Sequence, residues 1–261
     1  MHHRFEVPGS KIAWAFSDES GRPVVQLHGL TSSRSRDRLL DLDLGRRLSG
    51  TRLLRYDARG HGHSTGRPVP EDYRWQNLAE DLLRLLDHWF PDEKVHGVGP
   101  SMGTGTLLHA AVREPERFSG FTLLLPSTAW ETRAAKAEEY SRAAALIDEY
   151  GVESLLIGDQ VIAHPPAAVG NPDTMPHIDE HLLSSVYRGA ALSDLPDPEC
   201  LTELTQPTSV LAWIDDPAHP ISTAEALVSL MPNATLQVAS TPDDVRRWPS
   251  VLAADVARRP H

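Results

Sequence analysis

The sharpest chemical signal in the chain is Gly99-Pro100-Ser101-Met102-Gly103, which follows the apolar run 95–98 and leads directly into a helical run at 105–112. A G-x-S-x-G segment between a strand and a helix makes a sharp turn that lifts a serine hydroxyl above the edge of a sheet, where it can act as a nucleophile. Acyl transfer by a serine also needs backbone donors for the oxyanion and a base for the hydroxyl proton. The donors have a source. Gln26-Leu27-His28-Gly29-Leu30 closes an earlier strand and can aim the Leu30 N–H at the point addressed by the Met102 N–H. His28 reads as a structural histidine, because it precedes the turn and does not follow an acid.

A third segment, Arg55-Tyr56-Asp57-Ala58-Arg59-Gly60-His61-Gly62-His63-Ser64, again lies at the carboxyl end of a strand. Its alternate histidines read as packing and turn chemistry rather than ligands, and no metal or cofactor is expected. With the HG turn, the D-x-R-G-x-G-x-S segment, the serine turn and a late acid all in order, the chain resembles the α/β-hydrolase superfamily. Within it, the segments around Ser64 and Ser101 look most like the esterases, C–C bond hydrolases and lactonases that carry a helical cap. The resemblance implies an α/β fold with a mostly parallel central sheet, helices on both faces and a helical cap insertion. It also implies Ser101 as nucleophile, Leu30 and Met102 as oxyanion hole, and an acid in Asp215-Asp216-Pro217-Ala218-His219-Pro220. Asp216 fits the D-x-x-x-P spacing of that family better than Asp215.

The same resemblance places the catalytic histidine in the loop after the last strand. Here that loop reads Ala239-Ser240-Thr241-Pro242-Asp243-Asp244, with no histidine. Thr241 is instead a good helix cap, with proline at the first helical position and acids in the first turn. Of the 13 histidines only His219 and the terminal His261 follow Asp216. Three outcomes stay open: His219 as base beside Asp216, a histidine of the insertion such as His177 or His181, or no base at all.

The elements that must position these residues follow from apolar periodicity, with short runs at 53–56, 95–98, 121–125, 210–214 and 235–238 alternating with amphipathic segments. Residues 11–16 and 24–27 flank a turn at 18–23 and read as an initial hairpin. Helices are expected at 75–89, with Leu78, Leu82, Leu85, Leu86 and Trp89 on one face, and at 223–230, capped by Ser222 with Glu225. Between 125 and 210 the alternation stops. That interval opens on Thr128-Ala129-Trp130-Glu131, read as a capping box, continues as an alanine-rich helix to Gly151, and carries a further helix near 178–188. The expected division is a core of residues 1–126 and 206–261 with a helical lid at 127–205, roughly 80 residues and longer than an ordinary crossover.

The composition excludes several classes. With 25 basic and 36 acidic residues the net charge is −11, which repels nucleic acid and anionic lipid, and no basic patch offsets it. No apolar run approaches a membrane span, and no secretory leader is expected at the amino terminus. One cysteine, Cys200, suits a reducing cytoplasm. The expected partner is a small-molecule substrate, with no nucleic acid and no membrane; a homodimer is compatible with the composition. The functional reading is a serine-dependent hydrolase of a small, largely apolar ester, lactone or activated carbonyl compound. Two alternatives remain: a noncovalent lyase, cyclase or isomerase using the same pocket, and a catalytically silent ligand-binding protein on this fold.

Overall fold

A computed structural model describes residues 3–156 and 164–258 of the chain. The apolar runs become one eight-stranded sheet: β1 His3–Val7, β2 Ser10–Asp18, β3 Arg22–Gln26, β4 Thr51–Tyr56, β5 Val95–Pro100, β6 Phe118–Leu124, β7 Thr208–Trp213 and β8 Ala234–Ala239. Their order across the sheet is β1-β2-β4-β3-β5-β6-β7-β8. β2 runs antiparallel to β1 and β4, and the remaining pairs are parallel. β5 and β7 are buried at every position, as strands covered on both faces must be.

The helices are α1 Arg34–Leu39, α2 Trp75–Trp89, α3 Met102–Arg113, α4 Arg133–Tyr150, α5 Glu180–Ala191, α6 Pro198–Leu201, α7 Ile221–Leu230, α8 Pro242–Val245 and α9 Trp248–Ala257. Leu78 and Leu82 of α2, Leu107 of α3 and Leu227 of α7 join one buried cluster. Trp248 and Leu252 of α9 pack with Val98 and Leu211 in a second. No helix among the described residues is long and apolar enough to cross a membrane.

The expected first hairpin does not form. β4 lies between β2 and β3, pairing Trp14 with Tyr56 on one side and Val25 with Leu54 on the other. The hairpin partner of β2 is instead β1, whose Val7 faces Ser10 across a turn at Gly9. Alternation identifies a strand, but the choice of neighbour is made by long-range packing. Two capping expectations also fail. α7 begins at Ile221 with Pro220 at its cap and no side-chain capping bond, so Ser222 lies inside the helix. At the start of α4 the Ala129 N–H is taken by Thr132 Oγ1 at 3.1 Å, while Thr128 is buried and receives a bond from Arg133. The cap at Thr241 does form, with the Asp244 carboxylate accepting from the Thr241 N–H at 3.0 Å and from its hydroxyl at 2.8 Å.

Between β6 and β7 the described chain is helical where it is regular, and α4 packs along α5. Arg133, at the start of α4, fastens this segment to the core. Its guanidinium lies 4.5 Å from the Trp75 ring of α2 and donates to the carbonyls of Ser193 and Ala190. The charge is buried but fully engaged by a π face and carbonyl acceptors.

Candidate active site

Ser101 stands at the carboxyl end of the central strand β5, immediately before α3, with φ +51° and ψ −110°. Such a backbone costs of order 1–3 kcal/mol in a non-glycine residue and persists only where neighbours enforce it. The enforcement is visible. The Ser101 N–H donates to Leu124 O at 2.9 Å, and the Ser101 carbonyl accepts from the Gly105 N–H at 3.1 Å. The flanking glycines are dictated by space: a Cβ on Gly99 would come within 2.9 Å of Leu27 Cβ, and one on Gly103 within 3.1 Å of His28 O. The turn therefore nests against the end of β3, which brings the HG loop to the serine.

That loop is held by His28. The ring accepts the Ala58 N–H at Nε2 over 2.9 Å and donates from Nδ1 to Gly29 O over 2.8 Å, so both nitrogens are engaged. Burial lowers the His28 pKa and the imidazole stays neutral, as this bonding requires. Among the turn, loop and cap hydrogen bonds of the described residues, none uses the amide of Leu30 or Met102. Asp57 braces the next layer, accepting from Arg34 at its backbone N–H and its guanidinium and from the His63 N–H. Burial raises the Asp57 pKa, but Arg34 outweighs it and holds the carboxyl at about 2.

Two strands away, the loop after β7 carries the acid and an imidazole together. His219 Nδ1 lies 2.7 Å from Asp216 Oδ2, to which the Trp213 indole N–H also donates at 2.7 Å, while Oδ1 accepts the Ala218 N–H at 2.9 Å. Burial alone would raise the Asp216 pKa, yet these donors hold the carboxyl well below the usual carboxylate range. An ionised Asp216 fixes His219 with Nδ1 protonated and leaves Nε2 to accept a proton. No hydrogen bond joins the Ser101 hydroxyl to the His219 ring. In a ligand-free catalytic pair such a bond is often long and tightens only with substrate.

Ser101 and His219 share one cavity of about 390 Å³, to which Gly29, Leu30 and Trp213 also contribute. The helical segment also lines it, through Lys136 and Tyr140 of α4 and Tyr187 of α5. Neither His177 nor His181 lines it; the histidine of that segment which does is His164, bonded to Asp173 at 3.0 Å. His177 instead bonds Ser33 Oγ at 2.7 Å, and its carbonyl accepts the Gly62 N–H. The loop after β8 contributes nothing to the cavity lining, and His261 lies outside the described residues. Sequence reasoning missed Trp213 as a partner of Asp216, and it missed the cationic wall. The only available signal for Trp213 was its place three residues before the acid at a strand end.

Asp37 lies at the cavity margin and is 1% exposed. Its Oδ1 accepts the Ser32 hydroxyl, its Oδ2 has no hydrogen-bond partner among the described residues, and burial pushes the carboxyl up to about 7. An acid whose folded pKa exceeds its unfolded value stabilises the fold fully below the unfolded pKa, near 4, and that contribution is lost as pH rises towards 7. The Asp37→Asn variant is accordingly expected to gain stability relative to the parent between about pH 4 and pH 7, by a few kcal/mol at most. Urea melts of both proteins across this range check it; parallel curves would show that Asp37 ionises normally.

Residues 22–161 match the family model described as alpha/beta hydrolase fold. That match spans more than half of the chain, and the protein belongs to the alpha/beta hydrolase family. Over 201 residues it is 24% identical to a putative carbamate hydrolase, RutD, from a Caulobacter species, covering 74% of this chain and 73% of that one. Its fold is similar to that of a hydrolase from Pseudomonas aeruginosa, with a TM-score of 0.78, 21% identity and 98% of each chain covered. A thermophilic esterase from Thermogutta terrifontis superposes with a TM-score of 0.73 at 20% identity, covering 98% of this chain and 96% of that one.

Proposed function

We propose that the protein is a serine hydrolase acting on a small ester, lactone or carbamate. Ser101 is the nucleophile, His219 its base and Asp216 the group that orients the imidazole. The observation that carries this reading is the Asp216–His219 pair, 2.7 Å long, facing the cavity that also holds Ser101. The pair supplies from one loop what the family ordinarily draws from two. The names of the relatives, a carbamate hydrolase and an esterase, agree with the chemistry.

In the first half-reaction Ser101 Oγ attacks the substrate carbonyl while its proton passes to His219 Nε2. The Leu30 and Met102 N–H groups take the developing oxyanion, and the protonated imidazole returns its proton to the leaving alkoxide or amine. Water, deprotonated by His219, then cleaves the acyl-enzyme and regenerates Ser101. Residues 127–205 act as a lid: α4 and α5 contribute to the cavity wall and limit the entry of water.

A fluorophosphonate probe tests the assignment. It is expected to label Ser101 stoichiometrically, as seen by intact mass and peptide mapping, and to label the His219→Ala variant far more slowly. Absence of labelling in the parent would overturn the covalent mechanism and favour the noncovalent or ligand-binding reading.

A further inference from the structure

Three arginines that brace the loops beside the site are each neutralised by a carboxylate. Arg34 pairs with Asp57, Arg55 with Asp43, and Arg59 with Asp81. Arg36 departs from this pattern. It lines the cavity, yet none of the ion pairs among the described residues includes it, and its partners are all neutral: Thr31 O and Oγ1 at Nη1, Thr174 Oγ1 at Nε and Thr174 O at Nη2. These bonds hold the guanidinium against Thr31, the residue next to the oxyanion donor Leu30. They fix its position and leave it without an ion-pair partner among the described residues, with one Nη2 proton unspent. A half-buried guanidinium with an unspent N–H and no ion-pair partner is a ready donor to an anionic group on a ligand.

The neighbouring wall has the same sign. Lys136 reaches the cavity beside the Tyr140 and Tyr187 phenols, with its ammonium 2.5 Å from the exposed Glu139 carboxylate and 5.7 Å from the Tyr140 ring. Burial raises the pKa of both phenols, Tyr187 to about 12, so they remain neutral donors. Glu139 offsets Lys136, and the buried Asp37 beside Arg36 is pushed towards its neutral form. Of the two cations among the described residues that line the cavity, only Lys136 is ion-paired, to Glu139, so the lining suits an anionic group on a ligand.

We propose that the substrate carries a carboxylate in addition to its scissile acyl group, and that Arg36, with Lys136 and the phenols of Tyr140 and Tyr187, binds that carboxylate. The inference rests on the hydrolase reading for the scissile group alone. It replaces the largely apolar substrate expected from sequence with one that has an apolar middle, set by Leu40, Leu125 and Trp213, and an anionic end. Arg36 is in this account a specificity residue: it selects the substrate and takes no part in proton transfer.

The test compares two aryl esters of equal length, the 4-nitrophenyl monoester of glutaric acid and 4-nitrophenyl pentanoate. The parent protein is expected to favour the acid ester by about 10- to 100-fold in kcat/KM, the range of one charge-assisted hydrogen bond. In Arg36→Gln this ratio should fall towards one, mainly through KM for the acid ester, and Arg36→Lys should restore part of it. Because Arg36 also ties Thr31 to Thr174, Lys136→Met provides a second variant that leaves those bonds intact and should reduce the same ratio. Binding of monoethyl glutarate to the Ser101→Ala protein, measured by calorimetry, separates the two readings. Arg36-dependent binding without ester turnover in the parent would keep the carboxylate site and remove the hydrolase. Turnover with equal or better use of the neutral ester would remove the carboxylate site and keep the hydrolase.

Discussion

Replacing Ser101 by alanine is expected to reduce ester turnover by several orders of magnitude while leaving the melting temperature within a few degrees of the parent. The size follows from the chemistry: without Oγ no acyl-enzyme forms, and only the oxyanion donors and substrate binding remain. The small stability effect follows from the geometry, since the turn is held by the backbone bonds of Ser101 to Leu124 and Gly105 and not by its hydroxyl. Steady-state kinetics with an aryl acetate and a thermal melt check both halves. A variant that kept parental turnover would exclude a covalent serine step and transfer the reaction to the noncovalent reading.

The second large effect concerns the base. His219→Ala is expected to lower kcat/KM by about 10²- to 10⁴-fold, the range for loss of a positioned general base. Asp216→Asn should approach the upper end, because a neutral amide accepting from Nδ1–H no longer stabilises the imidazolium and can hold the ring in the wrong tautomer. His28→Ala provides the contrast. Both His28 nitrogens are spent on Ala58 and Gly29, so its loss should appear first as a lower melting temperature. A His219→Ala variant that kept the parental rate would move the base to another residue, with His164 the histidine of the helical segment that lines the cavity.

The structures of the two loops have local causes. After β8 the chain enters α8 through Thr241, whose N–H and hydroxyl are committed to Asp244, and Pro242 fixes the first helical residue. After β7, Asp215 adopts φ +59°, and the turn that follows lets the Asp216 carbonyl accept the His219 N–H at 3.1 Å. That turn brings an imidazole three residues away onto the acid.

What the sequence determined by itself was whatever short-range sterics and capping dictate. The glycines around Ser101 permit only a tight strand-to-helix turn, Thr241 to Asp244 can only start a helix, and the order of the motifs along the chain selects the fold. Asp216 and His219 were legible together because three residues of one loop separate them. Other relations depended on residues far apart in the chain, and only the tertiary structure decided them. β4 enters between β2 and β3 although all three look alike as apolar runs, and Trp213 turns its indole N–H onto Asp216. Arg36 finds Thr174 across 138 residues, and α4 and α5 bring Lys136, Tyr140 and Tyr187 to the cavity that Ser101 lines. Periodicity records which face of an element is buried, not what it is buried against, so the chemistry of a cavity built from separate elements emerges only when they pack.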